Sequence, residues 1–439
     1  MSLFGTSGIR GVYGESITKQ LARDIGKALG TYAKSETIIV GMDPRLSGPL
    51  LKKALISSIL RYKNVVDLNM APTPVVAFGC KTSSKEGVII TASHNPKEYN
   101  GFKILGPDGL AYSRKKEIDI ETIITNKKYN PGLSQGELIE KSIEKGYMSA
   151  ILERIKLRGR GKILIDPGNG AASRISPTLL KRYGYKVEEI NCDPDGSFPN
   201  RNPEPNEENL KETAKLVKER GCDIGFCHDG DADRMMAIDD EGKVADFDKF
   251  LIFLCKGAAH QKTNKTVVTT VDASMAVEDH LNELKVVRSR VGDVFVANDV
   301  KYYNACFGGE PSGSYIFPEF GLWPDGIYAI FKTLQALEAE GKKLSQILSE
   351  IPKYPMRRIK LKCPNEKKEV VMKKIKIPEG CEVITKDGIL MKTEDTQILI
   401  RPSGTEEYIR INVEAKEESI LKEKLSYWKE EIERLIASS

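Results

Sequence analysis

Short β-branched runs alternate with helical stretches along most of the chain, and the runs fall into three sets. The first set is Thr37 to Val40, Asn64 to Leu68 and Gly87 to Thr91. The second is Lys162 to Ile165, Tyr185 to Ile190 and Cys222 to Phe226, and the third is Thr266 to Val271, Leu284 to Val287 and Asn304 to Phe307. Between the runs, apolar residues recur on one helical face, as with Ile17, Leu21, Ile25 and Leu29 behind Thr18, a residue suited to capping. Strands alternating with helices predict α/β units, here one unit written three times.

The last quarter has another rhythm. Strands are expected around Arg357 to Leu361, Val383 to Thr385, Gln397 to Arg401 and Tyr408 to Val413, followed by a helix with a stripe of Leu421, Leu425, Trp428, Ile432 and Leu435. The stripe is too short for a coiled coil and suits packing on the segment's own sheet. Proline and charge near Ile351 to Arg358 mark a linker, and the charged stretch Ser113 to Lys128 is expected to be exposed. The expected domains are 1–148, 149–245, 246–352 and 353–439, three related α/β units and a smaller C-terminal α+β unit.

A chain of 439 residues, 40% apolar and 29% charged, has ample core for several domains. Its net charge of +5 is spread along the sequence, which predicts modest attraction for small anions and speaks against nucleic-acid or membrane binding. The eight cysteines form no CxxC pair and read as buried thiols of a reducing compartment, the cytoplasm. The N-terminus runs straight into glycine-rich sequence with no apolar signal segment.

Each set of strands ends in an unusual loop. In DGDADR, Asp229, Asp231 and Asp233 alternate directly after an apolar run. Read as a continuing strand, alternation puts all three carboxylates on one face, an arrangement that needs a cation between them. Hard oxygen ligands beside Arg234, which can hold an anion, suit Mg²⁺ bridging to phosphate. A calcium EF-hand fails, because Arg234 and Asp240 stand where that loop needs Gly and Glu. In TASHNP, Ser93 precedes His94; a serine hydrolase would need an oriented base, yet in extended chain His94 points away from Ser93, and no GxSxG elbow occurs. A phosphorylated Ser93 fits better, its charge completing the metal's ligand set.

GGEPSG offers Glu310 and Ser312 to neighbouring sugar hydroxyls, and RPSGTEEYIR sets Arg401, Ser403, Gly404, Thr405 and Arg410 as a phosphate cradle. Arg10 and Arg45 lie in further glycine-rich loops, and Lys103 follows the serine loop, with proton transfer by it or His94 and a purely electrostatic role both open.

TASHNP, DGDADR, GEPSG and RPSGTE, with GTSGIRG at the start, resemble the four functional loops and the N-terminus of the α-D-phosphohexomutases, in the same order and across essentially the whole chain. The resemblance implies four domains around a central cleft. It makes Ser93 the phosphoserine and gives Asp229, Asp231 and Asp233 to Mg²⁺. It sets Arg10, His94 and Lys103 at the transfer site, Glu310 and Ser312 on the sugar, and Arg401, Ser403, Gly404, Thr405 and Arg410 on the other phosphate. It further implies a hexose 1,6-bisphosphate intermediate that turns around in the site. Two positions depart from the pattern: Ser314 stands where many relatives have His, and Glu407 where proline commonly follows. The competing readings are a silent phosphosugar-binding protein and a metal-dependent phosphatase.

Overall fold

The strands gather into four sheets. The computed structural model describes residues 3–5, 8–132, 135–260, 262–404 and 406–438. The first sheet holds β1 (Ile9–Val12), β2 (Thr37–Met42), β3 (Asn64–Met70), β4 (Gly87–Ile90), β5 (Tyr99–Leu105) and β6 (Leu138–Glu140), in the order β1-β5-β4-β2-β3-β6. The second holds β7 (Lys162–Asp166), β8 (Lys186–Glu189), β9 (Ile224–His228) and β10 (Met235–Ile238), in the order β10-β9-β7-β8. The third holds β11 (Thr266–Thr270), β12 (Lys285–Ser289), β13 (Phe307–Glu310) and β14 (Ser314–Ile316), in the order β12-β11-β13-β14.

These three sheets share one topology. A central strand (β2, β7 or β11) lies parallel to the next strand on one side and to the third on the other. The third strand then turns back into an antiparallel fourth, β5, β10 or β14. All four residues of β4 and all five of β9 and β11 are buried, as expected of strands covered by helices on both faces. The turn between third and fourth strand recurs at one edge of each unit, and in each it carries a motif singled out above.

The fourth sheet is wholly antiparallel: β15 (Met356–Lys362), β16 (Glu382–Ile384), β17 (Ile389–Lys392), β18 (Thr396–Pro402) and β19 (Tyr408–Ala415), in the order β15-β19-β18-β17-β16. Its core is closed by the helix Glu418–Ala437, which buries Leu421, Trp428, Ile432 and Leu435. β17 escaped sequence reading because its four residues sit between two turns. In the first sheet, Thr18 caps the helix Lys19–Tyr32 by accepting from the Leu21 N–H, as its position predicts.

Three expectations need correction. The charged stretch after Ser113 is not wholly exposed: it forms the helix Arg114–Thr125, with Ile120 and Glu117 buried, so a narrow apolar stripe was enough to dock it. The third unit's last strand begins at Phe307 rather than Asn304, because Asn304 takes a left-handed φ of 48° just after the helix Asp293–Tyr302. Consequently Gly308, Gly309 and Glu310 of GGEPSG are strand, not loop. Glycine is required at 308 by packing, since a Cβ there would lie 2.5 Å from Val300. All eight cysteines are free thiols, and among the described residues no helix is long and apolar enough to cross a membrane.

Candidate active site

The turn between β4 and β5 places Ser93 almost fully buried with a left-handed φ of 50°. Non-glycine residues seldom hold that conformation without support. Here the Ser93 N–H donates to Thr91 Oγ1 (2.8 Å), and Thr91 in turn donates to Asp43 Oδ2 (2.6 Å). Ser93 Oγ donates to Asp229 Oδ2 at 2.6 Å and lies 3.4 Å from Asp233 Oδ1. The same backbone twist overturns the expectation for His94: instead of pointing away, its Nδ1 lies 3.3 Å from Ser93 Oγ. Burial, reinforced by the Arg234, Arg10 and Arg45 cations, pushes the imidazole down to about 2, so it is neutral across the physiological range. Arg10 Nη1 reaches Asn95 Oδ1 at 3.4 Å, which puts this cation beside the serine turn.

The three aspartates converge by another route than strand alternation. β9 ends at His228, and residues 229–234 curl in a turn with Ala232 at a φ of 59°. One oxygen from each of Asp229, Asp231 and Asp233 lies within 4.8 Å of the others, and all three residues are buried. Thr73 Oγ1 donates to Asp231 Oδ2 (2.6 Å), while Asp231 Oδ1 is buried with no hydrogen-bond partner among the described residues. An orphaned carboxylate oxygen on a residue clustered with two other carboxylates is what a cation would satisfy. Burial and mutual repulsion hold the Asp229 carboxyl well above the usual range and push Asp231 up to about 6. Burial also opposes ionisation of Asp233, but Lys103, Arg234 and Arg10 outweigh it and hold that carboxyl low. The donor set of three hard oxygens therefore fits a divalent metal.

Lys103 lies on β5, buried between Asp233 (3.4 Å) and Asp293 (2.5 Å). Burial lowers its affinity for a proton, yet these carboxylates more than reverse that, so it stays a cation. Asp293 starts the helix after Gly292 in the third unit, and the Gly292 N–H donates to Glu310 Oε1 (2.6 Å). The chain of contacts Ser93, Asp233, Lys103, Asp293 thus joins three sheets. Glu310 is buried and pushed up to about 7, first by burial and then by Asp293 and Asp272. Ser312 Oγ lies 3.4 Å from Glu310 Oε2. Ser314 is buried in β14, bridged to Arg234.

The fourth loop faces the third unit, sharing a cavity with Asp272. Arg401 and Arg410 are cross-strand partners on β18 and β19, and with Asp272, Arg358, Lys360 and Asn412 they line a cavity of about 220 Å³. Arg410 Nε is buried with no partner among the described residues, although Arg410 Nη2 pairs with Glu406 (2.8 Å). Ser403 is buried and its carbonyl is held by Lys368 Nζ (2.7 Å), Gly404 is exposed, and Thr405 lies outside the described residues. Glu407 is exposed and its carbonyl accepts from the Cys363 N–H. A larger groove of about 970 Å³ behind the third sheet carries no comparable chemistry, because its lysines 256, 262, 265 and 332 pair with glutamates.

Sequence reasoning missed Thr73, Asp293, Lys360 and Arg358, since each reaches the site from an element without a motif. The period-two spacing of Arg358 and Lys360 on β15 was the one signal available for that pair.

Four family models match the chain in succession. Phosphoglucomutase/phosphomannomutase α/β/α domains I, II and III cover residues 1–131, 145–242 and 246–354, and the C-terminal domain covers residues 359–426. A probable phosphoglucosamine mutase of Methanothermobacter thermautotrophicus is 42% identical over 429 residues, 95% of this chain and 94% of its own. Another, from Pyrococcus abyssi, is 42% identical over 444 residues, covering 99% and 97%. Among solved structures, a phosphoglucomutase/phosphomannomutase family protein from Burkholderia thailandensis superposes with a TM-score of 0.90 at 27% identity, covering 99% of this chain and 97% of that one. With every unit of the fold matched in order and the relatives matched end to end, the chain belongs to the phosphoglucomutase/phosphomannomutase family.

Proposed function

We propose that the protein interconverts a hexose 1-phosphate and the hexose 6-phosphate by way of phosphorylated Ser93, with glucosamine phosphate as its sugar. The observation that carries the reading is the seating of Ser93: a buried hydroxyl, 2.6 Å from one member of a carboxylate triad and flanked by Lys103, Arg10 and Arg234. The names of the relatives at 42% identity support glucosamine among the three sugars considered.

Asp229, Asp231 and Asp233 would hold Mg²⁺ together with the phosphate on Ser93. A metal bound there supplies charge to stabilise the phosphoryl group in flight. In the first half of the cycle, the bond from phosphorus to Ser93 Oγ breaks while one to a sugar hydroxyl forms, and in the second half a sugar oxygen–phosphorus bond breaks while the one to Oγ forms again. The proton lost by that hydroxyl is matched by the one the serine oxygen gains. The resulting hexose 1,6-bisphosphate turns around, and its other phosphate returns to Ser93. Arg10, Arg234 and Lys103 neutralise phosphate charge, and neutral His94 offers a hydrogen bond beside Oγ. The firmly cationic Lys103 and the weakly basic His94 favour electrostatic roles over proton transfer. Glu310 and Ser312 take sugar hydroxyls, while Arg401, Ser403, Gly404, Thr405 and Arg410 take the phosphate that is not transferred. Because the same loop must accept that phosphate from either end of the sugar, a cradle recognising phosphate alone suits it.

The test is turnover with Mg²⁺ and a trace of hexose 1,6-bisphosphate, supplying glucosamine, glucose and mannose 1-phosphates in parallel. Formation of 6-phosphate without released phosphate is the expected outcome, fastest for glucosamine. Release of inorganic phosphate in step with substrate loss would make the protein a phosphatase, and uptake without conversion would make it a binding protein.

A further inference from the structure

Arg45 is among the largest fully buried side chains in the protein, and it touches neither the aspartates nor the phosphate cradle. Its guanidinium has five N–H groups, and the serine turn and its support use all of them. Nε donates to Asp43 Oδ2 (2.9 Å); Nη1 donates to the carbonyls of Pro96 (2.5 Å) and Tyr99 (2.9 Å); Nη2 donates to the carbonyls of Ser93 (2.9 Å) and Asn95 (2.6 Å). Asp43 is the same residue that accepts from Thr91, which in turn holds the Ser93 N–H. The left-handed backbone at Ser93 is therefore fixed from both its N–H and its carbonyl by one buried network.

The second unit closes over this network. The Phe198 ring lies 5.2 Å from the Arg45 guanidinium carbon, and Arg45 and Gly196 form a backbone bridge. A Cβ on Gly196 would lie 2.0 Å from the Pro44 carbonyl oxygen, and one on Gly230 of the aspartate turn 2.8 Å from the Ser93 carbonyl oxygen. The two glycines thus allow a backbone approach that a side chain would block.

We infer that Arg45 is the positioning residue of the phosphoryl carrier: it holds the Ser93 turn in its left-handed form and, seated under Phe198, sets the distance from Ser93 to the aspartate turn. The inference rests on the phosphoserine reading. A single ammonium cannot span four carbonyls and a carboxylate, so lysine keeps the charge and loses the geometry. Misplacing a reacting atom by about 1 Å lowers a rate by roughly a hundredfold.

The experiment compares wild-type protein, Arg45→Lys and Phe198→Leu for kcat, KM, thermal midpoint and the phosphorus NMR signal of phosphorylated Ser93. Arg45→Lys is expected to lower kcat by about ten- to a hundredfold with KM within about twofold, and to shift or split the phosphoserine resonance. Phe198→Leu leaves every Arg45 hydrogen bond in place and removes the seat alone. It is expected to lower kcat by about three- to tenfold, again without change in KM, and it serves as the test if the lysine variant does not fold. A folded Arg45→Lys with wild-type kcat and resonance overturns the inference. So does a kcat loss matched by an equal rise in KM, which marks general disruption of the site. Wild-type protein that forms no 6-phosphate sinks the phosphoserine reading instead, a distinct outcome.

Discussion

Replacing Glu310 by Gln is expected to stabilise the protein in alkaline buffer while disabling it. Glu310 is buried, and its carboxyl is pushed up from an ordinary 4.5 to about 7 by burial and by Asp293 and Asp272. A folded-state value above the unfolded one means the folded protein holds its proton more tightly. The corresponding stability is complete below about pH 4.5 and is lost as pH rises through about 7. The difference between 4.5 and about 7 is worth about 3 kcal/mol, at about 1.4 kcal/mol for each tenfold change in proton activity. Glutamine cannot ionise, yet its Oε1 still accepts from the Gly292 N–H and its amide can donate to Ser312. The two proteins should therefore unfold alike near pH 4.5 and diverge by up to about 3 kcal/mol near pH 8, the variant being the more stable. Urea unfolding at several pH values reads this, with fluorescence of buried Trp323 reporting on the third unit. Asp248 and Asp325, pushed up to about 7 and about 6, add their own slopes, but these are common to both proteins and cancel in the difference. Equal urea midpoints near pH 8, or a less stable variant there, would refute the account of Glu310 as a carboxylate held ionised at a cost.

Ser93→Ala should abolish turnover and the adduct of about 80 Da that intact mass detects on a phosphoserine protein. Because Asp229 also loses its donor, the same variant should be destabilised by about 1–3 kcal/mol in chemical denaturation. Added Mg²⁺ should raise the thermal midpoint of wild-type protein, whereas Asp231→Asn should show no such rise; a metal-induced shift retained in that variant would count against the triad as the metal site. Arg410→Ala should raise KM for the sugar phosphate by roughly ten- to a hundredfold, the worth of about 1.5–3 kcal/mol in charged hydrogen bonds, and steady-state kinetics at saturating substrate measures whether kcat is spared.

The threefold repeat was legible in the sequence because central parallel strands are buried on both faces and read as unbroken apolar runs. The motifs were legible because each packs several chemically unusual residues into one turn. What escaped was long-range: Thr73 meets Asp231 across 158 positions and Lys103 meets Asp293 across 190, with nothing in either local pattern to pair them. His94 departs from the sequence expectation for a local reason. Neighbouring side chains diverge in extended backbone, and no residue type in TASHNP announces a left-handed serine. The aspartates converge as alternation predicts, but through a turn with Ala232 at a left-handed φ rather than along an extended strand.

Each of the three repeated units buries one arginine side chain against an acid and turns its remaining donors mainly on backbone carbonyls. Arg45 pairs with Asp43 and holds the serine turn. Arg201 pairs with Asp166 and donates to the His228 carbonyl, directly before the aspartate turn (2.7 Å). Arg288 pairs with Glu278 and donates to the carbonyls of Thr270, Ala273 and Ser274. The arginines do not occupy one position of the repeat: Arg45 follows β2, Arg201 lies in the long connection after β8, and Arg288 is on β12. A shared ancestry of the units would account for the sheet order but not for one device arising at three places. A shared demand does. A turn that leaves the sheet strands carbonyls away from both ladder and water, and a planar fork with five donors satisfies several of them at once while fixing the turn's shape. On the phosphoserine reading, the serine and aspartate turns that Arg45 and Arg201 support need that rigidity to meet a moving phosphoryl, whereas Arg288 fixes a segment that bonds to Gln397 and Glu414 of the fourth sheet.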